Sequence, residues 1–289
     1  MPFVCWGSKT RWAKNTLLLR RYPRPYPRFL QPPSHPRPRP LIQSAIVITY
    51  SHIGSHHVNH NEDALVVEDL TDRHLLLAVM DGCGAGTDSH FAATLAAKLL
   101  RKIARQTNQR TFAERRQPTT SELLKETLRN LFADLRRLNA ELGLKYDELL
   151  TTLVLAVVDR HGPRAEVLTV GDGLIHCDGE IQEYDHDNKP DYLGYHLRED
   201  FDDWFNVQPQ RLVCEYFLDF ALATDGLLSF RPFSHDSYRP VTDDELLEFL
   251  FTARDEGEPE TLYRRLIGHV KSEFGLEATD DVTVVRYLV

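Results

Sequence analysis

The sequence predicts an α+β fold in which packed antiparallel sheets carry helices on their outer faces. β-branched and apolar runs dominate both halves of the chain, and the helical patterns between them come in pairs. Such an order is typical of sheets that bury one face against each other and the other face under helices. The expected strands are residues 46–50, 64–69, 74–80, 151–158, 165–170, 217–224 and 282–288, with a further hairpin at the Asp178-Gly179 turn.

Four helices are expected, and each has a recognisable pattern or start signal. Residues 89–105 carry apolar side chains three and four positions apart, which is typical of an amphipathic helix. Capping boxes predict the start of two more helices, and a proline predicts the start of the fourth. These start signals are Thr119 with Glu122, Thr242 with Glu245, and Pro259.

Residues 185–210 are polar, aromatic and irregular, so we expect a surface flap. Aromatic side chains such as Trp204 usually anchor a loop to the core, and this is the interpretation that we favour for Phe201, Trp204 and Phe205. The alternative is that they form a lid that selects the substrate.

The first 43 residues differ in composition from the rest of the chain. They hold nine of the 16 prolines, and residues 1–61 hold nine Lys or Arg and no Asp or Glu. Proline excludes helix interiors and central strands, so residues 1–43 are expected to be disordered or polyproline-like. The folded domain is then expected to be residues 44–289. The basic segment could be a docking tail, a transit peptide, or no part of the working protein.

Charge and cysteine content exclude several classes of protein. Residues 62–289 hold 25 basic and 43 acidic residues, which argues against nucleic-acid binding by the folded domain. There is no apolar run near 18 residues, so neither a membrane-spanning helix nor a membrane partner is expected. The cysteines have no Cys-x-x-Cys spacing, which predicts reduced thiols and a cytoplasmic location. They are Cys5, Cys83, Cys177 and Cys214.

Five short acidic motifs follow one another along the chain, and three of them come directly after an apolar run. A buried strand that ends in Asp-Gly presents its carboxylate at the edge of the sheet. Carboxylates that converge from distant strands repel one another unless a cation lies among them, so the motifs predict a site for a hard metal ion. They are Asn61-Glu62-Asp63, Asp81-Gly82-Cys83-Gly84-Ala85-Gly86, Gly171-Asp172-Gly173, Ala223-Thr224-Asp225-Gly226 and Thr279-Asp280-Asp281-Val282-Thr283.

In this order the motifs resemble the metal-dependent Ser/Thr protein phosphatases of type 2C, the PPM family, in a divergent bacterial-type branch. The resemblance covers residues 46–289. Single motifs have little specificity, whereas the ordered set of five is specific. The resemblance implies a four-layer α-β-β-α sandwich of two antiparallel sheets flanked by helix pairs. It also implies two Mn²⁺ or Mg²⁺ ions at one end of the sandwich, with a weaker third ion.

The resemblance implies a role for each acidic residue. Asp81 would bridge both ions, and Asp81 and Asp225 would hold the hydroxide that attacks phosphorus. Asp63 and Asp281 would support the ligands without binding metal themselves. The implied ligand set is Glu62, Asp81, the Gly82 carbonyl, Asp225 and Asp280, with Asp172 at the third ion.

Two positions depart from the family pattern. Many members carry an Arg that binds the substrate phosphate four residues before the glutamate, and this chain has Val58 there. His57 or His60 could supply a weaker contact, although His lacks the bidentate fork of Arg. Some members have a His after the first Asp-Gly, and this chain has Cys83, interpreted as a small buried residue or as an oxidation-sensitive thiol.

The expected function is that of a metal-dependent protein Ser/Thr phosphatase that hydrolyses phosphoserine and phosphothreonine with a metal-activated water. Its partners would be a phosphorylated protein substrate and an opposing Ser/Thr kinase. Two alternatives stay open. One is a catalytically weak phosphatase-like domain that regulates or binds phosphoproteins, and the other is a hydrolase of small phosphomonoesters.

Overall fold

A computed structural model describes residues 45–84, 88–186, 190–233, 239–254 and 257–289. The segment expected to be disordered, residues 1–43, lies outside the described residues, as do residues 85–87, which overlap the second acidic motif.

Within the described ranges, the strands form two five-stranded antiparallel sheets and one two-stranded ribbon. In chain order they are β1 (Ile46–His52), β2 (Ala64–Asp69), β3 (His74–Met80), β4 (Leu153–Asp159), β5 (Arg164–Val170), β6 (Gly173–Cys177), β7 (Glu180–Tyr184), β8 (Arg211–Glu215), β9 (Asp219–Ala223), β10 (Phe230–Pro232), β11 (Leu276–Ala278) and β12 (Val282–Leu288). Sheet A has the order β1-β12-β9-β6-β7 and sheet B the order β2-β3-β4-β5-β8, while β10 pairs with β11.

The α-helices of the described chain cover the outer faces of the sheets. Sheet B shares one apolar core with α1 (Phe91–Glu114), α2 (Thr120–Leu142) and α3 (Phe201–Val207). Sheet A shares another core with α4 (Asp243–Thr252) and α5 (Leu262–His269). A third core lies between the two sheets. The predicted four-layer α-β-β-α sandwich is therefore confirmed.

Local chemistry explains where the elements begin and end. The Thr119 hydroxyl accepts a hydrogen bond from the Glu122 backbone amide at 3.2 Å, and the Glu122 carboxylate accepts one from the Thr119 amide at 2.7 Å. This is the predicted capping box of α2.

All seven residues of β3 and of β4 are buried, because these central strands have helices on one face and sheet A on the other.

The expectation of an irregular flap at residues 185–210 is wrong in part, because the segment contains α3 and leads directly into β8. Asp200 caps α3 by accepting hydrogen bonds from the amides of Asp202 and Asp203. The side chains of Phe201, Trp204 and Phe205 are at most 5% exposed and lie in the core under α2. They anchor the segment, so the lid alternative does not apply to them.

Candidate active site

Strand pairing brings four of the acidic motifs to one end of the sandwich. In sheet B, Ala64 pairs with Met80, so the residues before β2 lie beside those after β3. In sheet A, Val284 pairs with Ala223, so the residues before β12 lie beside those after β9. The motifs contribute Glu62 and Asp63, then Asp81, Asp225, and finally Asp280 and Asp281.

Asp81 lies at the centre of this acidic cluster. Its backbone is held by the neighbouring strand: its amide donates to the Thr152 hydroxyl at 3.0 Å, and its carbonyl accepts from the Thr151 hydroxyl at 2.8 Å. Burial raises the pKa of the Asp81 carboxyl well above its usual range, and the nearby carboxylates raise it further. Those carboxylates belong to Asp63, Asp225, Asp280 and Glu62.

Asp281 holds the backbone near the site in place, although it is adjacent in the chain to the expected ligand Asp280. Its carboxylate is buried and accepts hydrogen bonds from the backbone amides of Gly54 at 2.7 Å and Glu62 at 2.5 Å. A Cβ at position 54 would lie only 2.3 Å from the Asp280 carbonyl carbon, so glycine is required for this approach. The Asp280 side chain is 35% exposed. The two adjacent acids therefore face different environments.

Asp63 lies behind the cluster. Its Oδ2 accepts a hydrogen bond from the Thr224 hydroxyl at 2.8 Å, and Thr224 in turn accepts one from the Thr283 amide at 3.0 Å. Burial raises the pKa of Asp63 well above its usual range, against the opposing effect of the threonine hydrogen bonds. Its Oδ1 is buried and has no hydrogen-bond partner among the described residues.

Glu62 is positioned by the turn that follows β3. The Ser89 hydroxyl donates to Glu62 Oε1, and the Gly82 amide donates to the Glu62 carbonyl at 3.2 Å. A Cβ on Gly82 would lie 2.0 Å from the Ser89 carbonyl oxygen, so only glycine fits between these two segments. Ser89 is a site residue that sequence patterns do not indicate, because a single serine in a turn carries no recognisable signal.

Asp172 follows β5 directly, in the turn that leads into β6. Its Oδ1 lies 2.6 Å from His186 Nδ1 and accepts a hydrogen bond from the His186 amide at 3.1 Å. His186 therefore holds one oxygen of the carboxylate to which the resemblance gives the third-ion role.

The histidines near the cluster have distinct environments. His57 Nδ1 lies 2.9 Å from Asp281 Oδ2, and its Nε2 lies 3.7 Å from Asp280 Oδ1. Burial lowers the pKa of His57, but the acidic side chains around it outweigh this effect and raise the pKa above its ordinary value. His60 is exposed and stacks on His90, with ring centroids 4.5 Å apart.

The two departures from the family pattern have different surroundings. Val58 is 88% exposed to solvent. Cys83 is 4% exposed and packs with Leu150 and Tyr192, while its amide donates to the Leu150 carbonyl at 3.1 Å. This packing agrees with the interpretation of Cys83 as a small buried residue.

The donor set of the cluster fits a hard divalent cation. Its potential ligands are oxygen atoms, its formal charge is strongly negative, and the buried Asp63 Oδ1 has no partner among the described residues. In the described part of the chain, no three His, Cys, Asp or Glu side chains stand close enough together to bind a metal as they are. Binding would therefore include a rearrangement of these carboxylates.

Solved structures of bacterial phosphatases share this fold. A mutant form of a bacterial serine phosphatase superimposes with a TM-score of 0.60 at 18% identity, over 86% of this chain and 99% of that one. Stp1 from Staphylococcus aureus gives 0.54 at 16% identity, over 88% and 99%. PppA from Pseudomonas aeruginosa gives 0.52 at 19% identity, over 84% and 97%. No curated protein sequence matches the chain significantly.

Within the described residues, no helix has both the length and the apolar character needed to cross a bilayer.

The sequence model of the family described as Protein phosphatase 2C matches residues 50–262, which is most of the chain. The chain therefore belongs to the protein phosphatase 2C family, a family of phosphoric monoester hydrolases that act as protein-serine/threonine phosphatases.

Proposed function

We propose that this protein uses two divalent ions, Mn²⁺ or Mg²⁺, to hydrolyse phosphoserine and phosphothreonine in proteins at the cluster around Asp81. The observation that supports this proposal best is that strand pairing brings acidic residues of four separate motifs to one end of the sandwich, around Asp81. In the absence of a cation this arrangement is electrostatically unfavourable, which supports the proposal that the cluster binds positive charge.

The residues divide into ligands and supports. Glu62, Asp81, Asp225 and Asp280, with the Gly82 carbonyl, would hold the ions. When bound, the ions would supply Lewis acidity towards the phosphoryl oxygens and a water of lowered pKa.

The protein itself contributes orientation. Thr151 and Thr152 fix the backbone of Asp81, and the Asp281 carboxylate fixes the backbone of Glu62. Ser89 holds one oxygen of the Glu62 carboxylate, so the other oxygen is left for a cation. These contacts fix the backbone of the proposed ligands, so only their side chains would have to rearrange when a cation binds.

Of the two histidines proposed for the phosphate contact, we favour His60. The Nδ1 of His57 lies against Asp281, and its Nε2 could donate to a phosphate only by giving up its contact with Asp280. The exposed ring of His60, supported by His90, can donate a hydrogen bond to a phosphoryl oxygen. His60→Ala should then raise KM for a phosphopeptide more than it lowers kcat, and Val58→Ala is the matched control that should leave both unchanged.

The proposed partners follow from this chemistry. They are a phosphorylated protein substrate and a Ser/Thr kinase whose action the enzyme reverses. A reducing compartment such as the cytoplasm is proposed from the cysteine pattern alone.

The decisive experiment measures hydrolysis of para-nitrophenyl phosphate and of a phosphothreonine peptide by the full chain, with Mn²⁺, with Mg²⁺ and with EDTA. We expect turnover of the peptide that requires metal and is lost in Asp81→Asn and Asp225→Asn. Asp134→Asn, which removes a carboxylate on α2 that pairs with Lys102, is the control that should keep full activity. Metal binding by calorimetry without turnover would instead support a regulatory phosphatase-like domain, and turnover of small phosphomonoesters alone would support a metabolite phosphatase.

A further inference from the structure

Strand β8 lies at one edge of sheet B, and in the described chain it pairs with β5 alone. The Thr169 amide donates to the Gln210 carbonyl at 2.9 Å just before β8, and the Tyr216 amide donates to the Pro163 carbonyl at 2.7 Å just after it. Hydrogen-bonded and non-hydrogen-bonded pairs alternate along an antiparallel ladder. The even-numbered residues of β8 are therefore the ones that bond to β5.

The odd-numbered residues of β8 are Arg211, Val213 and Glu215, and their amides and carbonyls point out of the sheet edge. Their side chains lie on the outer face of sheet B, because Cys214 between them points into the core between the sheets. All three residues are exposed, and Val213 is exposed by 49%. The edge thus presents backbone donors and acceptors beside an apolar side chain.

Other large apolar side chains are exposed around the same strand. The exposed fractions are 75% for Val207, 80% for Tyr216 and 54% for Leu218. Together with Val213, four of the eleven large apolar residues that are exposed in the described chain fall within residues 207–218. Such a concentration favours a surface that binds another protein.

The sequence of β8 is complementary to itself in antiparallel register. When two copies pair about Val213, Arg211 of each copy lies opposite Glu215 of the other, and opposite charges across a strand pair stabilise it. These pairs are of the hydrogen-bonded type, because they consist of the residues whose backbone groups point outward. Within one chain Arg211 and Glu215 are four residues apart on an extended strand, which is too far for contact.

The other edge strands of the two five-stranded sheets in the described chain lack this complementarity. β2 and β7 carry acidic charges without basic ones, so self-pairing would bring like charges together. β1 contains no Asp, Glu, Lys or Arg. β8 carries both signs, and it has neither the proline nor the lysine that commonly blocks pairing at a sheet edge.

We propose that β8 is a dimerisation edge, at which two copies of this chain pair antiparallel about Val213 and join their two B sheets into one continuous sheet. The proposal is independent of the phosphatase reaction. It is based on the outward backbone groups, the exposed apolar side chains and the self-complementary charges of β8. Five residues form a small interface, so we expect a weak dimer that forms at micromolar concentrations.

Both charged residues also have contacts within their own chain. Arg211 Cζ lies 4.5 Å from the centroid of the Phe205 ring, and Glu215 pairs with Arg164 of β5. The Glu215 side chain nevertheless remains 51% exposed. Pairing between copies would therefore add a second basic partner to Glu215 without breaking the first.

The first test measures the mass of the full chain by sedimentation equilibrium at increasing protein concentration. We expect the average mass to rise from that of one chain towards that of two. Hydrogen exchange followed by NMR should show the Val213 amide becoming protected over the same concentrations. The Cys214 amide, which faces β5, should be protected at every concentration.

Val213→Pro removes one outward amide and leaves the ladder with β5 in place, since proline is tolerated where the N–H faces away from the sheet. This variant should fold and remain a monomer at every concentration. Val213→Thr is the matched control, because it keeps both the amide and the β-branched shape, and it should still dimerise.

Charge reversal tests the register. Arg211→Glu makes the paired positions all acidic and Glu215→Arg makes them all basic, so each variant alone should associate more than about tenfold more weakly than the wild type. An equimolar mixture of the two restores opposite charges at both ends of the paired strands and should form a heterodimer. Arg137→Glu, on the exposed face of α2, is the control for net charge and should dimerise like the wild type.

The proposal is overturned if the full chain stays monomeric at every concentration. It is also overturned if Val213→Pro dimerises as well as Val213→Thr, because the dimer would then use another surface. A mixture of the two charge variants that associates no better than either alone would exclude the register about Val213.

Discussion

The carboxylate of Asp281 accepts a hydrogen bond from the backbone amide of Glu62, which lies 219 residues earlier in the chain. The same carboxylate accepts the Gly54 amide, so it fastens the loop before β2 to the start of β12. The proposed ligands Glu62 and Asp280 thus owe their relative position to one buried residue that need not bind metal itself.

Asp281→Ala should therefore destabilise the protein, because it leaves two backbone amides without their acceptor. Each unsatisfied buried N–H costs about 1–3 kcal/mol, so we expect a loss of roughly 2–6 kcal/mol in the free energy of unfolding. Urea unfolding monitored by circular dichroism measures it. The neighbouring Asp280→Asn is the control: it should keep stability close to that of the wild type and lose turnover. Equal stability of both variants would contradict the division of roles.

Asp81→Asn should raise the stability of the metal-free protein. The neutral amide replaces a carboxyl group that is removed from water and lies near other carboxylates. Adding Mn²⁺ should stabilise the wild type by about 2.7 kcal/mol at roughly 100 times Kd, and EDTA should reverse this. Thermal unfolding with and without metal measures both effects. If Asp81→Asn gained as much stability from Mn²⁺ as the wild type does, Asp81 would not be a metal ligand.

His196 should make the stability of the flap depend on pH. Its Nε2 lies 2.8 Å from Asp191 and its Nδ1 lies 2.7 Å from Glu199. Burial lowers the pKa of His196, but these two carboxylates outweigh burial and raise it above the ordinary value. The contribution to stability is therefore complete below the unfolded pKa of about 6.5 and is lost as the pH rises through the folded pKa.

His196→Gln should consequently lower the melting temperature most in acidic buffer and least in alkaline buffer, where wild type and variant should converge. His161→Gln, which changes a surface histidine in the turn between β4 and β5, is the control and should show no such trend. A constant difference across the pH range would show that His196 acts through packing on Trp204 rather than through charge.

The ion pair of Arg286 and Asp219 should be the main electrostatic support at the opposite end of β9. Arg286 is fully buried, and its guanidinium donates to both Asp219 oxygens at 2.8 and 2.6 Å. Arg286→Met would leave a buried carboxylate without this partner and should cost about 3–5 kcal/mol. Arg254→Ala removes an exposed arginine 3.4 Å from the same carboxylate and should cost less than about 1 kcal/mol. Chemical denaturation of both variants compares them.

The repeating patterns of the sequence were enough to predict the layers of the fold. Capping boxes at Thr119 and Thr242 predicted the starts of α2 and α4, because a cap is a local hydrogen bond that needs no tertiary partner. The flap could not be predicted in this way. The aromatic side chains of α3 lie in an otherwise polar segment of the sequence. Only their packing beneath α2 makes them core residues.

The sequence by itself determined that several carboxylates end strands, and that their order resembles one family of phosphatases. Only the tertiary structure decided which side chains face one another. It separated Asp280, which is partly exposed, from its neighbour Asp281, whose carboxylate is buried. The physical reason is that strand pairing and sheet packing bring together residues that are far apart in the chain. A sequence motif contains information only about residues that are adjacent in the chain.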